Sequence, residues 1–280
     1  MREIDVSKIR DAVTEICLKA NFELRKDVLK ALNLAFRKET NPRARNILKA
    51  IIENAKLAKR KRLAICQDTG MAVVFMEIGQ DVAIVGGDLQ EAIEAGVEKG
   101  YRKGYLRRSV VGDPLARDNT NTNTPAVIFM DIVKGDKIRL AVSPKGFGSE
   151  NKSAIKMFKP TASVSDVKKF LIDAVSAAGA DACPPLVIGI GMGGTFEKAA
   201  YLAKKALFRP LDLRNPKRHL ARLEKELVKE MNSTGLGPMG LGGRTTVLGV
   251  NILEYPTHIA GLPVAVNISC HATRSAEAVL

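Results

Sequence analysis

The residues with the clearest chemical potential are three cysteines placed at junctions of the chain. Cys66 opens the run Cys66-Gln67-Asp68-Thr69-Gly70, where a thiol, an amide and a carboxylate stand side by side ahead of the apolar stretch Met71 to Met76. Cys183 precedes Pro184-Pro185, and Cys270 ends the run Val264-Ala265-Val266-Asn267-Ile268-Ser269. Three dispersed thiolates can hold a [4Fe–4S] cluster and leave one iron with an open coordination site. Such an iron binds a hydroxyl or carboxylate and makes hydroxide a better leaving group. Spacing alone leaves this cluster and three ordinary buried cysteines equally open.

Dehydration of a hydroxy-acid also needs a group that moves the proton on the neighbouring carbon, and cations or amides that hold carboxylates. Gln67, Asp68, Arg107, His258 and the glycine loops are of suitable type. Asp68 reads equally as a turn cap beside Thr69-Gly70, Arg107 as a surface residue beside Arg108, and His258 as a satisfied core histidine. Other chemistries fit less well. No two cysteines form a C-x-x-C knuckle, which argues against structural zinc. Cys66 with His258 is a conceivable thiol–imidazole pair, whereas Cys270 and His271 are neighbours and point to opposite faces of a strand. Gly189, Gly191 and Gly194 match the dinucleotide fingerprint, with Asp212 downstream. That motif requires a second strand, and Leu207-Phe208-Arg209-Pro210 is short and broken by proline. Cys17 shares an apolar helical face with Val6, Ile9, Val13 and Ile16, so a buried hydrophobe is expected there.

The elements that must position these groups follow from hydrophobic spacing. Helices are expected over Val6–Lys19 with Asp5 as N-cap, over Asp27–Arg37 and over Ala44–Arg62, a helical part of about residues 1–62. Met71–Ile78 reads as a buried strand and Asp88–Lys99 as a helix. Val127–Val133 and Ile138–Val142 read as strands of a hairpin turning at Lys134-Gly135-Asp136. Asn119 to Pro125 is a polar loop whose short donors could serve a ligand. Later come helices at Ser163–Ala177, Phe196–Leu207 (N-cap Thr195) and Lys217–Met231, and strands at Leu186–Ile190, Thr246–Ile252 and Leu262–Ser269. The fold class is therefore α/β (mixed α+β), an N-terminal helical layer followed by mixed sheets with covering helices. No stretch has the composition of a linker, so residues 1–280 read as a single domain.

Composition narrows the classes. Hydrophobic residues make up 46% and charged residues 26%, as in an ordinary globular protein. No apolar run approaches the ~20 residues of a membrane span. The opening Met1-Arg2-Glu3-Ile4-Asp5 lacks an apolar signal region, so a cytoplasmic location is expected. Lys+Arg 44 against Asp+Glu 30 leaves a formal charge of +14. A basic nucleic-acid-binding protein with structural cysteines is the reading from a different class. Aromatics at 5% and the absence of Trp give it no stacking platform, and nucleic acid is disfavoured.

Several motifs together resemble the class I fumarase and L-tartrate dehydratase family. They are Cys66-Gln67-Asp68-Thr69-Gly70, Leu106-Arg107-Arg108-Ser109, Asn121-Thr122-Asn123-Thr124-Pro125-Ala126, Lys145-Gly146-Phe147-Gly148-Ser149-Glu150-Asn151-Lys152, and the end around His258 and Cys270. The likeness runs from about Ile9 to the C-terminus, in the family's order. It implies a single Fe–S hydro-lyase alpha-type domain, the alpha subunit of a hetero-oligomer whose separate beta subunit supplies the remaining catalytic groups. It implies that Cys66, Cys183 and Cys270 ligate a [4Fe–4S] cluster. It further implies that Gln67, Arg107, Gly146, Gly148 and His258 bind a dicarboxylate, with Asp68 and His258 catalytic. Phe147 departs from the family's commoner Lys-Gly-Gly-Gly-Ser. Fumarate and malate are the expected substrates, with L-tartrate dehydratase as the alternative.

Overall fold

Asp5 turns the chain from a short strand into its first helix, its Oδ1 accepting the Ser7 N–H at 2.8 Å. This is the N-cap expected from sequence. The computed structural model describes all 280 residues. In chain order the elements are β1 (Arg2–Asp5), α1 (Val6–Phe22), α2 (Lys26–Lys38), α3 (Pro42–Lys61), β2 (Met71–Gly79), β3 (Val82–Val85), α4 (Leu89–Lys103), β4 (Val127–Val133) and β5 (Ile138–Lys145). They continue with α5 (Phe147–Glu150), β6 (Ala154–Phe158), α6 (Val164–Ala178), β7 (Leu186–Gly193), α7 (Phe196–Ala206), α8 (Arg218–Asn232), β8 (Val247–Tyr255), β9 (Leu262–Ser269) and β10 (Ala276–Val279). The expected mixture of helices and mixed sheets is what forms. No helix is long and apolar enough to cross a membrane.

The chain makes two compact units, one from Met1–Arg25, Ala55–Phe147 and Arg274–Leu280, the other from Lys26–Asn54 and Gly148–Thr273. Each unit collects separated segments. The N-terminal helices are accordingly divided: α1 belongs to the first unit, α2 to the second, and α3 passes from the second to the first.

In the first unit the four-stranded sheet runs β10-β5-β2-β4. Its inner strands are β5 and β2, and residues Ala72 to Met76 of β2 are all buried, as a near-continuous apolar run requires. The expected hairpin between β4 and β5 does not form. Instead β4 pairs parallel and β5 antiparallel to β2, which lies between them. The Lys134–Asp136 turn thus crosses over the end of β2 and takes its last donors: Gly79 N–H bonds to Lys137 O, Gln80 N–H to Val133 O and Asp81 N–H to Gly135 O. The strand that is buried without a break from Ala72 to Met76 takes the place between β4 and β5, whereas β4 is largely half-exposed, and local turn residues do not override that. Ile9, Val13, Ile93 and Val97 of α1 and α4 close the core with Val74, Met76 and Leu140. Each such side chain contributes roughly 1.5–3 kcal/mol on full burial.

In the second unit the sheet runs β6-β9-β7-β8, with β9 and β7 as its inner strands. Leu186, Ile188 and Ile190 of β7 pack with Leu171 and Val175 of α6 and with Leu227 and Met231 of α8. Helix α6 opens on a complete capping box, Ser163 with Asp166. Helix α7 packs through Ala199 and Ala203, with Ala265 of β9. Thr195 stands at its N-cap but makes no capping bond; its hydroxyl donates to Glu197 Oε1 at 2.8 Å instead.

Candidate functional site: the Asp68 loop and the cysteine-bearing strand ends

The Cys66–Gly70 loop enters β2 and is held almost entirely through its backbone. The Tyr101 hydroxyl lies 2.7 Å from Thr69 O and 2.9 Å from Gly70 O. Asn123 is fully buried; its Nδ2 donates to Gly70 O at 3.2 Å while its Oδ1 accepts the Ser109 N–H at 2.7 Å. The Thr69 hydroxyl donates to Arg107 O at 2.8 Å. Gly70 sits at φ +74°, and a Cβ there would meet the Lys145 backbone at 2.7 Å. Only glycine fits this approach.

This packing presents Asp68 between two amides. Gly70 N–H donates to its Oδ1 at 3.0 Å and Phe147 N–H to its Oδ2 at 2.8 Å. The turn-cap reading of Asp68 is therefore part of the answer, and the second amide comes from the Lys145-Gly146-Phe147 loop. A Cβ on Gly146 would lie 3.0 Å from Asp68 Oδ2, so glycine lets the loop bring the Phe147 amide onto that oxygen without crowding it. Gln67 and Arg107 are exposed, and Gln67 Oε1 accepts the Cys66 thiol at 3.2 Å. Gly148 lies in the second unit, exposed.

In that unit Cys183 and Cys270 share one end of the sheet. Cys183 precedes the start of β7, Cys270 follows the end of β9, and Val187 pairs with Ser269. Cys183 adopts a left-handed conformation, φ 54° and ψ 62°, which costs a non-glycine residue roughly 1–2 kcal/mol. Non-glycine residues held there cluster at functional positions. His271 braces it: its backbone N–H and its ring Nδ1 meet Cys183 O at 3.3 Å and 2.9 Å. On a continuing strand His271 would face away from Cys270. The strand ends at Ser269, which frees His271 to turn.

His258 is at the other end of the same sheet. It lies in the exposed turn after β8, whose Tyr255 pairs with Gly193, the last residue of β7. Gly194 N–H bonds to Pro256 O and the Thr257 hydroxyl to Gly194 O, tying that turn in place. The length of β7, about 23 Å at ~3.3 Å per residue, thus separates His258 from the end that carries Cys183 and Cys270. His258 closes its own turn, its Nδ1 accepting the Ala260 N–H at 3.1 Å. The fingerprint glycines have a packing role. A Cβ on Gly189 or Gly191 would lie 2.1 Å or 2.0 Å from Ala203 O or Ala199 O of α7. They let the helix settle on the strand. The segment after α7 makes no second strand, because Arg209 turns inward to Glu224 and Asn251.

The donor chemistry suits a soft iron centre. Cys66, Cys183 and Cys270 are partly exposed thiols, and none of the four cysteines forms a disulfide. Cys17 is fully buried, and burial pushes its thiol up to about 12, which disfavours the thiolate a metal needs. Cys66 belongs to the first unit and the other two to the second. No group of three or more His, Cys, Asp or Glu side chains converges as a ready-made ion site, so the fit rests on the thiols' exposure and setting.

Comparison with known proteins agrees with the motifs. A Methanocaldococcus jannaschii protein, provisionally named L(+)-tartrate dehydratase subunit alpha, is 43% identical over 277 residues, covering 96% of both chains. The L(+)-tartrate dehydratase subunit alpha of Escherichia coli K12 is 29% identical over 272 residues, covering 96% of this chain and 89% of that one. The Shigella sonnei protein of the same name matches at 29% identity with the same coverage. The profile of the fumarate hydratase (fumerase) family matches residues 10–279, nearly the whole sequence, and the chain belongs to that family.

Proposed function

We propose that this chain is the alpha subunit of an iron–sulfur hydro-lyase that adds and removes water on a four-carbon dicarboxylate, with fumarate and malate as its substrate pair. Cys66, Cys183 and Cys270 are the cluster ligands in this reading. When bound, a cluster of this kind supplies a Lewis-acidic iron for the hydroxyl and one carboxylate. Gln67 and Arg107 orient the dicarboxylate, and the backbone from Gly146 to Gly148 approaches it closely. Asp68 carries the proton to and from the carbon beside the one that bears the hydroxyl.

The observation that supports this most is Asp68 itself. A carboxylate fixed by two amides from two family motifs, with no side chain on residue 146 to crowd it, is suited to proton transfer at a set position. His258 also serves the dicarboxylate in this reading, while within one chain the length of β7 lies between it and Cys183 and Cys270. A separate beta subunit supplies the remaining groups; relatives named as alpha subunits support that. Those names also favour a second substrate reading, L-tartrate.

The deciding experiment is iron and sulfide content with a visible spectrum, on protein reconstituted without oxygen. About four irons per chain are expected, lost in Cys66→Ser, Cys183→Ser and Cys270→Ser and kept in Cys17→Ser. Equal dependence on Cys17 overturns the ligand set. With the beta partner added, malate and tartrate dehydration are assayed side by side, and turnover of tartrate alone replaces the substrate. A salt-sensitive gel shift by iron-free protein points instead to nucleic acid.

A further inference from the structure

Arg274 is 5% exposed, yet it carries a guanidinium, one of the costliest groups to bury. It has no carboxylate partner. Its Nε donates to Pro144 O at 3.2 Å and its Nη2 to the Asp68 carbonyl, while its own carbonyl accepts the Ser143 hydroxyl at 2.9 Å. Its Nη1 is buried without a hydrogen-bond partner. Packing alone does not account for such a residue, since an apolar side chain of similar volume would avoid both the buried charge and the unpaired donor. Its two bonded carbonyls do. One is the peptide oxygen of Asp68, and the other belongs to the strand end that leads through Gly146 to Phe147, whose N–H holds Asp68 Oδ2.

We infer that Arg274 is a positioning residue that locks the Asp68 peptide against the end of β5 and thereby aims the Asp68 carboxylate. This rests on the proposed role of Asp68 in proton transfer. The guanidinium is a planar fork of fixed geometry, suited to bridging two carbonyls. Bound to both, it fixes the Asp68 peptide relative to the end of β5, so that the Gly70 and Phe147 amides meet the Asp68 carboxylate at set positions. A lysine at this position keeps the charge and can reach one carbonyl at a time.

The test has two readouts on the full chain. The first is amide hydrogen exchange of Gly70 and Phe147, which requires no turnover. In Arg274→Gln, exchange at both is expected to quicken about tenfold, the scale of a lost charge-assisted hydrogen bond, while amides inside β2 keep their protection. Arg274→Lys is expected to recover part of it. The second is kinetics with the beta partner: kcat falls about tenfold in Arg274→Gln with KM nearly unchanged, because only the aim of Asp68 is lost. Unchanged exchange at Gly70 and Phe147, or a rise confined to KM, overturns the inference. Where Arg274→Gln fails to fold, Ser143→Ala decides in the same way, since it loosens Arg274 while leaving the charge in place. Absence of hydro-lyase activity in the wild type defeats the functional reading alone, and the exchange result then still decides whether Arg274 holds Asp68.

Discussion

His271 Nδ1 lies 2.9 Å from the carbonyl oxygen of Cys183, and the His271 backbone N–H meets the same oxygen at 3.3 Å. Two donors on one carbonyl pin the residue before Pro184 to the residue after Cys270. The ring must carry its proton on Nδ1 to donate. Within one unit, two of the three proposed ligands are thus braced by a side chain that is itself no ligand.

Replacing His271 with Ala should leave the fold intact and loosen that end of the sheet. A neutral hydrogen bond is worth ~1 kcal/mol, and residues that orient metal ligands typically change affinity by about 10–100-fold. Competition with an iron chelator should therefore strip iron from His271→Ala well before wild type. His271→Asn, whose amide reaches nearly the same point, should recover part of the loss. Equal resistance in all three would remove His271 from any supporting role.

The four thiols should separate cleanly in a labelling experiment. On iron-free, folded protein at pH 8, iodoacetamide should modify Cys66, Cys183 and Cys270 within minutes to hours and leave Cys17 untouched. The first three are partly exposed, whereas Cys17 is buried with its thiol pushed up to about 12. At four pH units below that value roughly one thiol in ten thousand is ionised. Mass spectrometry of the digested protein reads the result, and early labelling of Cys17 would mean that α1 is not packed as described.

What could be read in advance was whatever carried a periodic or compositional signal. Helices α1, with its Asp5 cap, and α4 followed from apolar spacing, α6 and α8 lie close to where helices were expected, and β9 was expected over the residues it occupies. The order of strands was not legible, since adjacency of β4 and β5 along the chain suggests a hairpin and only the competition for β2 shows otherwise. Short strands such as β1 have the composition of a helix cap and pair through their backbone alone. The same limit governs the site. Asp68 and the cysteines stand out by type, but Tyr101, His271 and Arg274 act on backbone carbonyls, and a carbonyl leaves no trace in the residue that bears it. For Arg274 the partner is 206 positions away.

The glycines that imitate a dinucleotide motif give a contrasting test. Gly191→Ala places a Cβ where Ala199 O lies 2.0 Å away, so α7 must lift from β7. Overpacking of this kind costs typically about 1–3 kcal/mol, or several degrees of melting temperature at roughly 2–4 °C per kcal/mol. A thermal melt should show that fall, and NADH fluorescence should show no saturable binding in wild type or variant. Saturable binding lost in Gly191→Ala would restore the nucleotide reading of this turn.

Acid should remove the stabilisation of carboxylates held by surface cations, and Asp11 is the one to follow. The hydrogen bond from Arg10, then that from Lys99, holds its carboxyl at about 2, below the ordinary 3.8. The distances are 3.1 Å from Arg10 Nε and 2.9 Å from Lys99 Nζ. Because the folded value is depressed, the contribution to stability is complete above about pH 4 and disappears as the pH falls through 2. Asp11→Asn never has it. The melting temperatures of wild type and Asp11→Asn should therefore differ slightly at pH 7 and converge as the pH approaches 2. The Asp11 side chain is 54% exposed, so added salt should also narrow the difference at pH 7. A gap that survives at pH 2, or widens on acidification, would show that Asn disturbs the helix surface for a reason other than the lost charge.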